Sequence, residues 1–254
     1  QDFLFLRHFS HDCKQVFSAE RWALTGEAGL FLDPFYSPGS DFIAISNGYI
    51  AELIGRDRAG DSIAFHAPIY QQLYRSFYDN TLTLYQDQYA LFGDEQVMPV
   101  KVIWDYTYYW ALLAPLYMSG RITSLSMLGR LRPQFERATS LNAAMQPFLR
   151  AWGEADDYGV REDGRLLDQY IIGWFHEMNR ALGEVQDDAA FAARIKANVA
   201  RMEKLAKEIL EQVKAMHPRI DDAALAALLE GVEADPAPML SADWYAAEAP
   251  EATA

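Results

Sequence analysis

Helical periodicity dominates the sequence beyond Gly60 and limits what this chain can fold into. Residues 64–93 place a series of apolar and aromatic side chains on one helical face: Tyr70, Leu73, Tyr74, Phe77, Tyr78 and Leu82. The same spacing predicts helices over 100–120, 122–152, 163–182, 188–216 and 221–232. The sequence therefore predicts a mostly α-helical region over residues 61–235.

The first 60 residues follow a different pattern. Short apolar runs at 3–7 and 21–25 are bounded by polar or turn residues, which predicts strands. A loop rich in glycine and proline follows, and residues 41–56 then show helical spacing with Ser40 or Asp41 suited to the N-cap. The predicted fold is thus the strand-loop-helix end of an α/β domain, followed by helices. Two strands and one helix do not complete an open sheet, so we expect the remaining strands upstream or in another chain.

Composition excludes several classes of partner. The chain has 22 basic and 36 acidic residues and a net charge of −14, which argues against nucleic acid or an anionic membrane surface. No apolar run approaches the length of a membrane span. The single cysteine, Cys13, rules out an internal disulfide and fits a reducing, cytoplasmic location. Residues 236–254 are rich in alanine, proline and acid, which predicts a flexible acidic tail.

The loop after residue 25 carries groups suited to a ligand. It lies at the carboxyl end of a predicted strand, where α/β sheets bind ligands, and Gly26 allows close approach of backbone. Glu27 offers two acceptor oxygens for a pair of hydroxyls, and the helix that follows Pro38 presents its positive end to an anion. Such a combination suits a reducible flavin. The alternative is a tight strand-helix connection in which glycine and proline serve only as turn residues.

Residues 21–54, RWALTGEAGLFLDPFYSPGSDFIAISNGYIAELI, carry a family resemblance. They resemble the second flavin-binding motif of FAD-dependent monooxygenases and flavin-dependent halogenases, whose pattern is a strand, G-D-A-A-G-F-x-D-P-x-x-S-x-G, and a helix. The resemblance implies that this chain is the C-terminal portion of such a flavoprotein. Residues 1–60 would then be the end of its FAD-binding domain.

The resemblance also assigns contacts to FAD. Glu27 stands where the family has an aspartate that binds the ribityl hydroxyls, and its side chain is one methylene longer. The residues that would line the ribityl and pyrophosphate side are Gly26, Ala28, Asp33 and Pro34. Those that would lie near the pyrimidine edge of the isoalloxazine are Pro38, Gly39 and Ser40.

Two departures from the family pattern bear on the reaction. Halogenases of the tryptophan type carry a catalytic glutamate just before the S-x-G step, where this chain has Tyr36. They also bind halide partly through backbone N–H groups at that step, and Pro38 has no N–H. The resemblance thus favours a monooxygenase that uses reduced FAD and O2 to hydroxylate an aromatic or electron-rich substrate. The alternatives are a halogenase, a flavin oxidoreductase acting on a lipid-like substrate, and a non-catalytic helical interaction module that retains the motif.

Parts of the family's site have no counterpart in the sequence. There is neither a G-x-G-x-x-G fingerprint nor a W-x-W-x-x-I-P segment, so the ADP half of FAD has no recognisable site. We therefore expect an N-terminal FAD-domain fragment, or another subunit, as a partner.

Aromatic residues between 104 and 117 suggest where a substrate binds. Trp104 and Tyr108, with Tyr36 from the loop, are candidates for the wall of a pocket that holds a small aromatic molecule or a carrier- or peptide-bound substrate. The alternative is ordinary core packing. The spacing of His8, His11 and Cys13 fits no common metal site, and none is predicted.

Overall fold

The computed structural model describes residues 2–3, 7, 9–157 and 167–240, and this part of the chain is helix-rich, which confirms the predicted helical region. The helices are α1 (Pro38–Arg58), α2 (His66–Leu82), α3 (Val97–Ala111), α4 (Leu113–Met118), α5 (Leu125–Ala155), α6 (Gly173–Arg180), α7 (Asp188–Met216) and α8 (Ala223–Leu228). Within these described residues, no helix is both long and apolar enough to cross a membrane.

The helix boundaries differ from the predicted ones where proline or a turn intervenes. Helix α1 begins at Pro38, with Ser37 rather than Ser40 or Asp41 at the N-cap, because proline is pre-organised for the first helical position. The helix predicted over 64–93 ends at Leu82. The one predicted over 100–120 is divided at Leu112 into α3 and α4, since the ring of Pro115 is incompatible with the carbonyl four residues earlier. Residues 163–166 of another predicted helix lie outside the described residues.

The strand predicted over 21–25 is wrong. Among the described residues the β-pairing consists of two isolated antiparallel bridges, Phe17 with Ala23 and His11 with Phe31. Arg21 has a left-handed φ of 65°, which is incompatible with an extended strand. The other predicted strand, 3–7, includes residues 4–6, which lie outside the described residues. The expected α/β remnant is therefore not seen in the part of the chain that the structure describes.

The first compact unit comprises Gln1–Gln86 and Gly120–Leu125. Its core is largely aromatic: the rings of Tyr49 and Tyr70 stack at 4.7 Å, and the Tyr74 hydroxyl donates to the carbonyl of Phe42 at 3.0 Å. These contacts join α1 to α2, so the unit continues beyond residue 60. The glycine- and proline-rich loop lies within this unit.

The second unit comprises Asp87–Ser119 and Ser126–Ala254, and its core contains a buried polar network. Lys101 on α3 has no exposed area, and its Nζ donates to Oδ2 of Asp105 and to Oε1 of Gln146 on α5, both at 2.7 Å. The Nε2 of Gln146 donates in turn to Oδ1 of Asp105 at 2.7 Å. The charges are thus buried with their hydrogen bonds satisfied, which the low-dielectric interior requires.

The start of the predicted flexible tail is held in place. Met239 and Leu240 are buried, and their amides donate to the two carboxylate oxygens of Glu208 on α7 at 2.6 and 2.9 Å. The Trp174 indole N–H also donates to the carbonyl of Met239 at 2.7 Å. Met239 and Leu240 are therefore anchored to α6 and α7. Positions 241–254, most of the predicted tail, lie outside the described residues.

Candidate functional site

The loop begins with a single turn that is fastened to the side of α1. Residues Gly26–Ala28 form a short 3-10 turn. The Gly26 amide donates to Oγ of Ser46 at 2.9 Å, and the Thr25 hydroxyl donates to Oδ1 of Asn47 at 2.7 Å. Ser46 completes the arrangement by donating to the Phe42 carbonyl at 2.6 Å. The backbone of this turn therefore has a fixed position relative to the start of α1.

Backbone conformation and packing on α1 both require a glycine at position 26. Its φ is +52°, a conformation that other residues rarely adopt, and a Cβ there would overlap Cγ1 of Ile43. Its N–H is already bonded to Ser46. The close approach that the sequence suggested is thus an approach to α1.

The side chain of Glu27 reaches the first turn of α1. Its Oε1 lies against Gly39, in the space that a Cβ at that position would fill. Glu27 is otherwise exposed, so its carboxylate is accessible to a ligand. The positive end of a helix stabilises a carboxylate in this position, and both oxygens can accept hydrogen bonds. The arrangement brings together Glu27 and Gly39, which are twelve positions apart in the sequence.

The second half of the loop is a strained turn. Oδ1 of Asp33 accepts from the Phe35 amide at 2.8 Å, and the Ser37 amide donates to the Pro34 carbonyl at 2.9 Å. Tyr36 and Ser37 both have left-handed φ values, 63° and 57°. Each costs roughly 1–2 kcal/mol for an ordinary residue, so the surrounding contacts must hold the turn in place.

Tyr85 supplies one of those contacts. Its hydroxyl donates to the Phe35 carbonyl at 2.6 Å, and its ring lies 6.3 Å from that of Tyr36. The Tyr36 ring also packs on Phe35 at 4.1 Å and is half-buried. Tyr36 therefore lies beside the start of α1, with part of its surface accessible.

His11 fastens the other side of the loop. Its Nε2 lies 2.9 Å from the carbonyl oxygen of Glu27, and its Nδ1 lies 2.9 Å from that of Phe9. The ring also packs at 6.2 Å on Phe31, which pairs with His11 through two backbone hydrogen bonds. His11 thus has a structural role next to the loop.

The predicted cofactor residues lie in one segment of the first unit but differ in accessibility. Those with exposed surface are Glu27, Ala28, Pro34 and Ser40. Asp33 and Gly39 are half-buried, whereas Gly26 and Pro38 are buried. A ligand could reach Glu27 and the first turn of α1. Gly26 and Pro38 are not accessible to it and instead determine the backbone conformation of the loop.

Of the residues predicted to form the aromatic wall, Trp104 and Tyr108 belong to the second unit and Tyr36 to the first. Trp104 has no exposed area, and its indole N–H donates to Oδ1 of Asn142 at 3.0 Å, so it occupies a core position. Tyr108 is half-buried, and its hydroxyl lies 3.5 Å from that of Thr139. Burial raises the pKa of the Tyr108 phenol. Trp104 therefore lacks the accessible surface that a substrate contact requires.

Sequence reasoning missed the residues that hold the loop. Ser46 and Asn47 interrupt an otherwise apolar run between Phe42 and Ala51, and this polar pair was the available signal. No local pattern identifies Tyr85 or His11, because each reaches the loop from a distant position in the chain.

The comparisons with known proteins agree with the resemblance only in part. The chain is 24% identical over 111 residues to the flavin-dependent halogenase chlA of Dictyostelium discoideum. The aligned segment is 43% of this chain and 18% of that protein, so the chain spans a small part of its relative. No protein-family model and no solved structure matches the chain. The similarity supports a relationship to flavin-dependent enzymes and no finer assignment.

Proposed function

We propose that this chain contributes the loop contacting the ribityl chain and isoalloxazine in an FAD-dependent monooxygenase of the halogenase-like superfamily. The observation that carries the proposal is the carboxylate of Glu27, which is exposed and lies over Gly39 at the positive end of α1. A flavin needs acceptors for its ribityl hydroxyls and a positive environment near its pyrimidine edge, and this segment offers both. The similarity to a flavin-dependent halogenase of Dictyostelium supports a flavin as the cofactor.

Different residues of the loop would contact different parts of the flavin. Glu27 would accept hydrogen bonds from ribityl hydroxyls, while the first turn of α1, with Gly39 and Ser40, would lie along the flat ring. Gly39 has no side chain, which keeps this turn open to a planar group. When bound, the flavin would supply the activation of O2, and the protein would orient the substrate and exclude water.

Oxygenation rather than halogenation is favoured by the amides of the loop. The Ser37 N–H donates to Pro34 at 2.9 Å, the Ser40 N–H donates to Ser37 at 3.2 Å, and Pro38 has no N–H. Few backbone donors are thus available for a halide at this step. Tyr36 also replaces the glutamate that the tryptophan-type halogenases use there.

Halogenation is the second candidate, because the Dictyostelium relative is named as a flavin-dependent halogenase. Analysis of the products that the flavin-loaded protein forms with NADH and a flavin reductase, with and without chloride or bromide, separates the two reactions. Product formation without halide is expected. A strict requirement for halide would instead establish the second candidate.

The other half of the FAD site would come from an upstream segment or another subunit. Exposed apolar residues around the loop offer a surface for it: Trp22, Ile43 and Ile54 are 43%, 46% and 53% exposed. Ile43 and Ile54 are eleven positions apart on α1 and share one face of the helix. The substrate would be a small aromatic molecule, or one bound to a carrier or a peptide.

Visible spectroscopy of the full-length gene product tests the proposal. We expect flavin absorption bands or uptake of added FAD, and Glu27→Ala should weaken FAD binding about 10-fold to 100-fold through the loss of charge-assisted hydrogen bonds. Glu20→Ala is the matched control, because Glu20 is an exposed acid in the same unit. No flavin bands and no FAD uptake would refute both enzyme proposals and leave the non-catalytic module. Equal FAD affinity of Glu27→Ala and the control would remove Glu27 from the site.

A further inference from the structure

A cavity in the second unit carries an unusual concentration of positive charge. It has a volume of about 400 Å³ and is formed by α6, the turn Ala181–Gly183 that follows it, and the adjoining part of α7. Arg180, Arg194 and Arg201 all line it. Three of the chain's 22 basic side chains thus share one cavity in a protein whose net charge is −14.

Arg194 and Arg201 are held at the cavity by contacts with aromatic rings. Arg201 stacks on the ring of Trp174, with its guanidinium carbon 5.9 Å from the ring centre. In the part of the chain that the structure describes, neither Arg180 nor Arg201 forms an ion pair with a carboxylate. Asp235, whose pKa is lowered by Lys204 and more weakly by Arg201, forms its ion pair with Lys204 at 3.1 Å. Arg194 donates to the Ala181 carbonyl at 2.5 Å and lies 5.3 Å above the Phe191 ring, which fixes its guanidinium at the cavity wall.

The remainder of the cavity is mixed in character. Glu177 and Glu184 also line it, so the formal charge of the lining side chains is three positive minus two negative, or +1. Apolar surface comes from the half-buried ring of Trp110 on α3, and from Met178 and Leu182. A ligand that matches the whole cavity must therefore be anionic at one end and apolar at the other.

We propose that this cavity binds a small carboxylate with an aromatic body. The planar guanidinium groups of Arg180 and Arg201 match a carboxylate, because each can donate two parallel hydrogen bonds to it. The Trp110 ring and its apolar neighbours would cover the aromatic body, and the volume lies within the range of small-molecule sites. The inference goes beyond the proposed flavin function, since it involves neither the loop nor the cofactor.

Isothermal titration calorimetry on the full chain tests the site with three probes: 1-naphthoate, its uncharged analogue 1-naphthylmethanol, and inorganic phosphate. We expect saturable 1:1 binding of naphthoate, at least about tenfold tighter than naphthylmethanol, a difference of 1.4 kcal/mol. Naphthoate should also bind tighter than phosphate, which cannot use the apolar wall. The proposal would be overturned if naphthoate did not bind saturably, or if either of the other two probes bound as tightly as naphthoate.

Substitution of the arginines locates the binding. Arg180→Gln and Arg201→Gln should each weaken naphthoate binding about tenfold, since each removes a charge-assisted donor pair. Arg130→Gln is the matched control, because Arg130 is an exposed arginine of α5 in the same unit and lies outside the cavity. Circular dichroism melting should give the same transition for all three variants, since none of these arginines is buried. If the cavity variants bind naphthoate like the control, the carboxylate is not held here and the proposal fails.

Discussion

Substitution of Gly26 by alanine tests why the loop has its shape. The residue has a φ of +52°, which costs roughly 1–2 kcal/mol for a residue with a Cβ. The new methyl group would also overlap Cγ1 of Ile43, and overpacking of this kind costs roughly 1–3 kcal/mol. We expect Gly26→Ala to lower the free energy of unfolding by about 2–5 kcal/mol in total.

Gly60→Ala separates the two contributions. Gly60 also has a positive φ, +87°, but no atom lies within 4 Å of the position a Cβ would take. Its substitution should therefore lower the free energy of unfolding by the conformational cost alone, roughly 1–2 kcal/mol. Urea denaturation followed by tryptophan fluorescence measures both variants.

A double variant makes the test sharper. Removing the side chain of the neighbour with Ile43→Ala should recover about 1–2 kcal/mol in the Gly26→Ala background, because the overlap disappears. Equal losses for Gly26→Ala and Gly60→Ala, with no coupling to Ile43, would refute the reasoning. The requirement for glycine would then come from φ alone, and the close packing on α1 would have no energetic consequence.

Three further substitutions probe the site and the core. Gly39→Ala should displace the Glu27 carboxylate and weaken FAD binding. The urea midpoint should stay nearly constant, because the Glu27 side chain is exposed and can move. Unchanged FAD affinity would show that the contact between Glu27 and Gly39 does not position the carboxylate for FAD. Lys101→Met should lower the free energy of unfolding by about 3–5 kcal/mol, because it leaves Asp105 buried without its cation. A loss below about 1 kcal/mol would show that the Lys101–Asp105 ion pair is dispensable. Burial raises the pKa of Asp94 above its ordinary 3.8. Between these two pKa values the native state keeps a proton that the unfolded state has lost. The stability of the wild type should therefore fall as pH rises from 3.8 through the raised pKa. Asp94→Asn should lack that contribution. Urea titrations of both proteins across this pH interval should show the stability of the variant rising relative to that of the wild type. Stabilities that change in parallel with pH would exclude a raised pKa of Asp94.

The sequence was most informative where a local signal determines the outcome. Helix α7 runs over Asp188–Met216, the range that periodicity predicts, because Asp187 at its N-cap accepts from the Ala190 amide at 2.8 Å. In the loop, Glu27 was identified from its residue type, but its position over Gly39 was not, since that contact depends on how the turn docks on α1. The docking depends on Ser46, whose side chain bonds to the loop from within the helix.

Prediction failed where tertiary contacts override a local pattern. The run RWALT has the composition of a strand, yet a strand needs a neighbour along its whole length, and here only Ala23 finds a bridge partner. The left-handed conformation of Arg21 turns the chain, and its Nε lies 3.0 Å from a carboxylate oxygen of Asp57 at the end of α1. This short apolar run therefore lies in irregular backbone, with only Leu24 half-buried, and lacks the ladder that its composition predicts.

Helix α3 shows most clearly why the sequence could not decide between a pocket wall and core packing for the aromatic cluster. It is apolar nearly all round, so periodicity cannot identify the face that meets solvent. Lys101 and Asp105, spaced i,i+4, have the pattern of an exposed ion pair, yet both are buried, and Gln146 from α5 bonds to both. The adjacent Trp104 lies in the core beside this network and donates to Asn142. Trp110, six positions later on a different face of α3, lines the arginine cavity. The aromatic residue best placed to contact a ligand on this helix is thus the one whose neighbours are arginines of α6 and α7, and only the packed structure distinguishes it from Trp104.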